Sequence, residues 1–165
     1  MPTGKIGEFF WAQHWVPGSE LLITDVVRAL RTHILGRRAV NVSWDSGRLS
    51  PSLSGIFERW QIQDDFVITP PVDDTLISDW PRSACGWDEW YFFRSIPKTI
   101  SLEAYCNWGG MAIDDWRDLE FTGLNLEQQL LTHQPELVIA EGHSIFVIAR
   151  RQEALLDFAS LVGEP

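Results

Sequence analysis

Apolar residues recur every four positions near the start of the chain, at Leu22, Val26, Leu30 and Ile34, with Ile23 and Val27 beside them. That spacing is the stripe of an amphipathic helix. Ser19 follows Pro17-Gly18 and is placed to cap the first turn, and Gly36 to end the last. Arg37 and Arg38 then stand at the negative end of the helix dipole. Upstream, "IGEFFWAQHWV" mixes large rings with few polar groups and predicts one strand. "AVNVSWD" alternates Val40, Val42 and Trp44 and predicts another. "GRLSPSLSG" reads as a loop and "SGIFERW" as a short helix. "DDFVITPP" is a short apolar run stopped by Pro70-Pro71, which suits an edge or terminal strand.

The last third is patterned most sharply. Asn125 and Gln128 have the spacing of a capping box for a helix over "LEQQLLTH", closed by Pro135. "ELVIA" and "SIFVIA" flank "EGHS" and predict an antiparallel hairpin, with the turn at Gly142-His143. "RQEALLDFASLVG" puts Ala154, Leu155, Phe158 and Leu161 on one helical face and ends at Gly163. The succession helix, strand, strand, helix predicts an α+β fold: a mostly antiparallel sheet with helices packed on one face. No internal repeat, low-complexity tract or long linker interrupts 165 residues, so residues 1–165 are expected to form a single globular domain.

The stretch "WDEWYFF" at 87–93 surrounds Asp88 and Glu89 with Trp87, Trp90, Tyr91, Phe92 and Phe93. Four consecutive rings from Trp90 favour a strand. In a strand, Trp87, Glu89, Tyr91 and Phe93 point one way, and Asp88, Trp90 and Phe92 the other. So many rings cannot all meet water, and most are expected in the core. Trp and Tyr beside acids are also the chemistry of interface hot spots.

Charge sharpens this picture. The net charge is −10. It divides into +2 over residues 1–63, −8 over 64–120 and −4 over 121–165, and five of the nine tryptophans lie in the middle segment. Such a surface repels nucleic-acid phosphates and attracts basic proteins. No run approaches the ~20 apolar residues of a membrane span, and "MPTGKIGEFFWAQHW" does not read as a secretory signal. With two cysteines, Cys85 and Cys106, and no Cys-x-x-Cys pair, a cytoplasmic location is expected.

Motifs of catalysis are missing. "CNWGGMAIDDW" lacks the phosphate-loop pattern and has an acidic flank. The pairs Asp64-Asp65, Asp73-Asp74 and Asp114-Asp115 are donor types for a hard cation, but none sits in a calcium-loop pattern. His14, His33, His133 and His143 are too scattered for a zinc motif, and no G-x-S-x-G is present. No metal and no cofactor is expected. Asp114-Asp115-Trp116 repeats the pairing of acid with a large ring.

At "DEWYF", Asp88 to Phe92, and through its acidic, Trp-rich middle, the chain resembles small bacterial immunity proteins that neutralise the toxins of competing cells. The resemblance covers a handful of residues. It implies a non-catalytic module whose partner is a basic protein such as a toxin domain, with no catalytic residues to carry over. The expected binding residues are Trp87, Asp88, Glu89, Trp90, Asp114, Asp115 and Trp116. The alternatives are a small hydrolase or transferase with a cleft near Cys85, Cys106 or His143, and a structural subunit of a larger assembly.

Overall fold

The computed structural model describes residues 1–15, 23–42, 61–63, 66–80, 88–98, 126–141 and 144–163. Among these, eight strands form one sheet. They are β1 (Thr3–Ile6), β2 (Phe9–Trp15), β3 (Arg38–Val42), β4 (Gln61–Gln63), β5 (Phe66–Ile68), β6 (Asp88–Phe93), β7 (Leu137–Glu141) and β8 (Ser144–Ala149). Their order is β1-β2-β8-β7-β6-β3-β5-β4, and every adjacent pair is antiparallel. The helical segments are α1 (Ile23–Ala29), α2 (Arg31–Ile34), α3 (Asp74–Ser78), α4 (Leu126–His133) and α5 (Gln152–Leu161). This is the expected α+β fold. The predicted hairpin is present as β7 and β8, with Leu137 opposite Ala149 and Glu141 opposite Ile145.

Period-2 alternation divides the sheet into two apolar faces. On the first, Ala12, Trp90, Phe92, Ile139 and Val147 pack under Val26, Leu30 and Ile34 of the α1–α2 region, Ile77 of α3 and Phe158 of α5. On the second, Phe9, Trp11, Tyr91, Phe93, Phe146 and Ile148 cluster with Leu130 of α4 and the half-buried Ile96. The helices thus gather mainly on one face, while α4 contributes to the other. A sheet apolar on both sides needs cover on both. The unbroken apolar runs of β6 and β8 follow from that: all six β8 side chains are buried.

β6 lies in mid-sheet, between β3 and β7. Its rings are shared between the faces, with Trp90 and Phe92 on the first and Tyr91 and Phe93 on the second. Trp80, just beyond α3, meets Trp90 edge-on with ring centres 4.7 Å apart and stacks on Phe92 at 5.7 Å. Aromatic pairs of this geometry add to the gain from burial alone.

Several local expectations are revised. "IGEFFWAQHWV" is a hairpin rather than one strand: Gly7 turns the chain at φ +57°, and Ile6 faces Phe9 across a two-residue connection. A positive φ in so short a turn favours glycine. The long helix is interrupted at Leu30, whose φ of −92° and ψ of 14° separate α1 from α2. Its apolar stripe still reaches the core on either side. β5 is not the edge strand; β4 pairs outside it. The extra helix α3 begins at Asp73-Asp74, where the Asp73 carboxylate accepts the Leu76 N–H at 2.8 Å as an N-cap. The start of the first predicted helix, Trp44, "GRLSPSLSG", "SGIFERW" and Asn125 lie outside the described residues.

Two stability measurements check this account. Trp90→Ala should cost about 3–5 kcal/mol in denaturant unfolding, the usual loss for a truncated buried aromatic. Asp73→Ala should cost about 1 kcal/mol, the usual value of an N-cap. A Trp90→Ala protein as stable as wild type would place that ring outside the core.

Candidate functional site

The register of the central strands sorts charge along their axis. Arg37, Arg38, Arg94, Arg150 and Arg151 lie at or just beyond the strand ends where β3 begins and β6 and β8 finish. Asp88, Glu89 and Glu141 lie at the opposite end, where β6 begins and β7 finishes. There Asp88 stands opposite Glu141, and Glu89 lies between Val42 and Ala140. Other described residues of that end include Pro2, Gln13, His14, Trp15, Asn41, Val42, Gln63, Phe66, Ser144 and Ile145. The two residues that join β4 to β5 in sequence are Asp64-Asp65.

Three of these bases are tied into the fold. The Arg38 Nε donates to the Thr69 carbonyl and the Arg150 Nε to the Pro135 carbonyl, each at 3.1 Å. Arg94 stands 3.7 Å from Glu136, and Arg150 3.5 Å from Glu8. Most acids of the helical layer have similar local duties. Asp74 forms a two-pronged pair with Arg31, one arm at 2.8 Å, and that hydrogen bond holds its carboxyl below the usual range. Asp157 meets His33 Nε2 at 2.7 Å. The described residues carry twelve acidic and nine basic side chains, so most of the net −10 belongs to the rest of the sequence.

The expected binding residues separate accordingly. Trp90 is 2 % exposed and Glu89 4 % exposed, so both belong to the interior. Glu89 shares its face with Tyr91, and its carbonyl accepts the Asn41 amide at 3.4 Å. Asp88 is the first residue of β6, on the strand's outer end. Trp87, Asp114, Asp115 and Trp116 lie outside the described residues, as do Cys85, Cys106 and His143. The structure therefore brings Asp88, Glu89 and Glu141 to one end of the sheet. Glu141 was not singled out in the sequence; only the register of β6 on β7 places it opposite Asp88.

The histidines stay apart: His14 is on β2, His33 on α2 and His133 at the end of α4. Among the described residues no three His, Cys, Asp or Glu side chains converge as a metal site, and no helix is long and apolar enough to cross a membrane. A small polar cavity of about 30 Å³ lies beside His33, Arg37 and Arg151, enough for little more than water. A larger groove of about 550 Å³ runs between β1 and α5.

No protein-family model, curated protein or solved structure matches this chain.

His133 provides a titratable probe of the second core. It is 6 % exposed, and its Nε2 has no hydrogen-bond partner among the described residues. Burial holds its pKa below the ordinary 6.5, because the charged form loses hydration. The unfolded chain therefore takes up this proton at higher pH than the folded one. The stability it confers is complete above about pH 6.5 and drains as pH falls below that value. His133→Gln should flatten this acid-side slope in unfolding curves taken between pH 7.5 and 5. An unchanged slope would mean that the folded state accommodates the imidazolium.

Proposed function

We propose that this chain is a non-catalytic binding module that captures a basic protein partner through the acidic end of its sheet and the acid-rich sequence linked to it. The partner class is that implied by the immunity-protein resemblance: a toxin domain with a cationic working surface. The observation that carries the reading is the sorting of charge. The register of β6 on β7 sets Asp88 opposite Glu141 at one end of the sheet, the segment 64–120 around β6 carries a balance of −8, and β6 is the strand of the "DEWYF" resemblance.

The physical logic is electrostatic. A concentrated acidic surface raises the rate of encounter with a cationic protein and discourages nucleic acid and other anions. Asp88, Asp114 and Asp115 supply charge, and Trp87 and Trp116 supply aromatic anchors. Glu89 and Trp90, being interior, act as support that fixes the position of Asp88. Asp88 is held at a strand end by the pairing of β6 with β7, which lowers the ordering cost of binding there.

The test is association with the basic product of an adjacent gene, followed by stopped flow or surface resonance. The triple replacement of Asp88, Asp114 and Asp115 by Asn should slow association about tenfold at low salt, within the range that steering contributes. Raising ionic strength to 0.15 M, where the Debye length is about 8 Å, should remove most of that difference. The melting temperature should stay within a few degrees of wild type. A neighbouring protein that does not bind, or binds the triple variant equally fast at low salt, would sink the acidic-capture reading.

A further inference from the structure

The five arginines at the far end of the sheet from Asp88 are not equivalent. Arg38, Arg94 and Arg150 are committed to carbonyls and carboxylates of the fold. Arg37 and Arg151 have no ion pair and no side-chain hydrogen bond among the described residues. The Arg37 Nε is also buried. A buried donor left unpaired carries its full desolvation cost, and it calls for an acceptor that the described fold does not supply.

Arg37 and Arg151 line the same cavity, of about 30 Å³. Backbone bonds fix where they stand. Arg37 joins α2 to β3: its N–H donates to the Ile34 carbonyl at 3.0 Å, and its carbonyl accepts the Val72 N–H at 2.8 Å. The Arg150 N–H donates to the Glu136 carbonyl at 3.1 Å, which sets Arg151 just past the open end of the β7–β8 hairpin. Arg151 is the N-cap of α5, yet its side chain makes no capping bond. Buried Leu137, Ala149 and Ala154 give the cavity an apolar wall. The other titratable groups of the lining are engaged elsewhere: His33 Nε2 meets Asp157 at 2.7 Å, and Glu136 stands 3.7 Å from Arg94.

We propose that this cavity is a carboxylate-binding site, in which Arg37 and Arg151 hold the head of an organic acid whose body stays outside. Size selects the head. One water-sized oxygen needs about 10–15 Å³ of such space. A cavity of about 30 Å³ therefore admits the two oxygens of a carboxylate and not the tetrahedral set of a phosphate. Charge agrees, because a phosphate dianion would bring a second negative charge beside Glu136. A guanidinium presents parallel N–H donors whose spacing matches the two carboxylate oxygens. The apolar wall lowers the local dielectric and strengthens that pair. The same head comes from two sources, a small free acid or the C-terminus of a peptide, which differ only in what extends past the mouth.

Titration with sodium acetate, against sodium chloride at equal ionic strength, tests the site through the proton–nitrogen signal of the Arg37 Nε–H. That signal should shift and saturate in the millimolar range. Arg151→Gln, at an exposed position that leaves the fold intact, should weaken acetate about tenfold, the worth of one charge-assisted hydrogen bond. Arg37→Lys keeps the charge and removes the fork, and should weaken it by a similar factor. An Arg37 signal that acetate does not move overturns the proposal. So does full-strength binding by Arg37→Lys, which would reduce the site to diffuse charge, or binding of inorganic phosphate as tight as that of acetate. N-acetyl-triglycine and its C-terminal amide separate the sources. The free acid binding more tightly than acetate supports a peptide C-terminus, and equal binding supports a small acid. The amide binding as well as the acid overturns both. The replacements that test acidic capture touch none of these residues and should leave acetate binding unchanged, so the two readings fail separately.

Discussion

The burial of β6 on both faces is the constraint from which the rest of this structure follows. A strand carrying four consecutive rings cannot lie at an edge or face water on one side without exposing hundreds of square ångströms of apolar surface. It must have a neighbour on each side and cover above and below. β3 and β7 supply the neighbours. The α1–α2 region, Trp80 and α5 supply cover on one face, and Leu130 and Ile96 contribute to it on the other. The acids at positions 88 and 89 are then carried to the end of the strand, because every later position in it is claimed by a ring.

This two-sided demand explains what the sequence revealed and what it concealed. Helix stripes, the β7–β8 hairpin and the strand at 88–93 were legible, because periodicity and β-branched or aromatic runs report burial directly. The first hairpin was not: "FFWA" is apolar without a break, and the only sign of reversal is Gly7. α3 was hidden because five residues hold barely more than one turn. Its signal was the Asp73 cap, which an acidic pair also shared with a cation-site reading. The fate of Trp90 could not be read from a seven-residue window, since the answer depends on Trp80 arriving from ten residues upstream. Glu141 needed the register of β6 on β7, which is a long-range property of the sheet.

The contrast between the sheet's two ends is the strongest hint that stability alone did not choose these residues. At the arginine end, Arg38 and Arg150 bind carbonyls and Arg94 and Arg150 approach carboxylates. Arg38, Arg94 and Arg150 thus do local work. At the other end the register sets Asp88 opposite Glu141 along the ladder. Glu89 adds a carboxyl where an apolar residue would pack with Tyr91 and Ala140 at no desolvation cost. A chain optimised only to fold would mix the signs. On the proposed reading the acids gathered at this end serve encounter with a cationic partner, a role that folding alone does not ask of them.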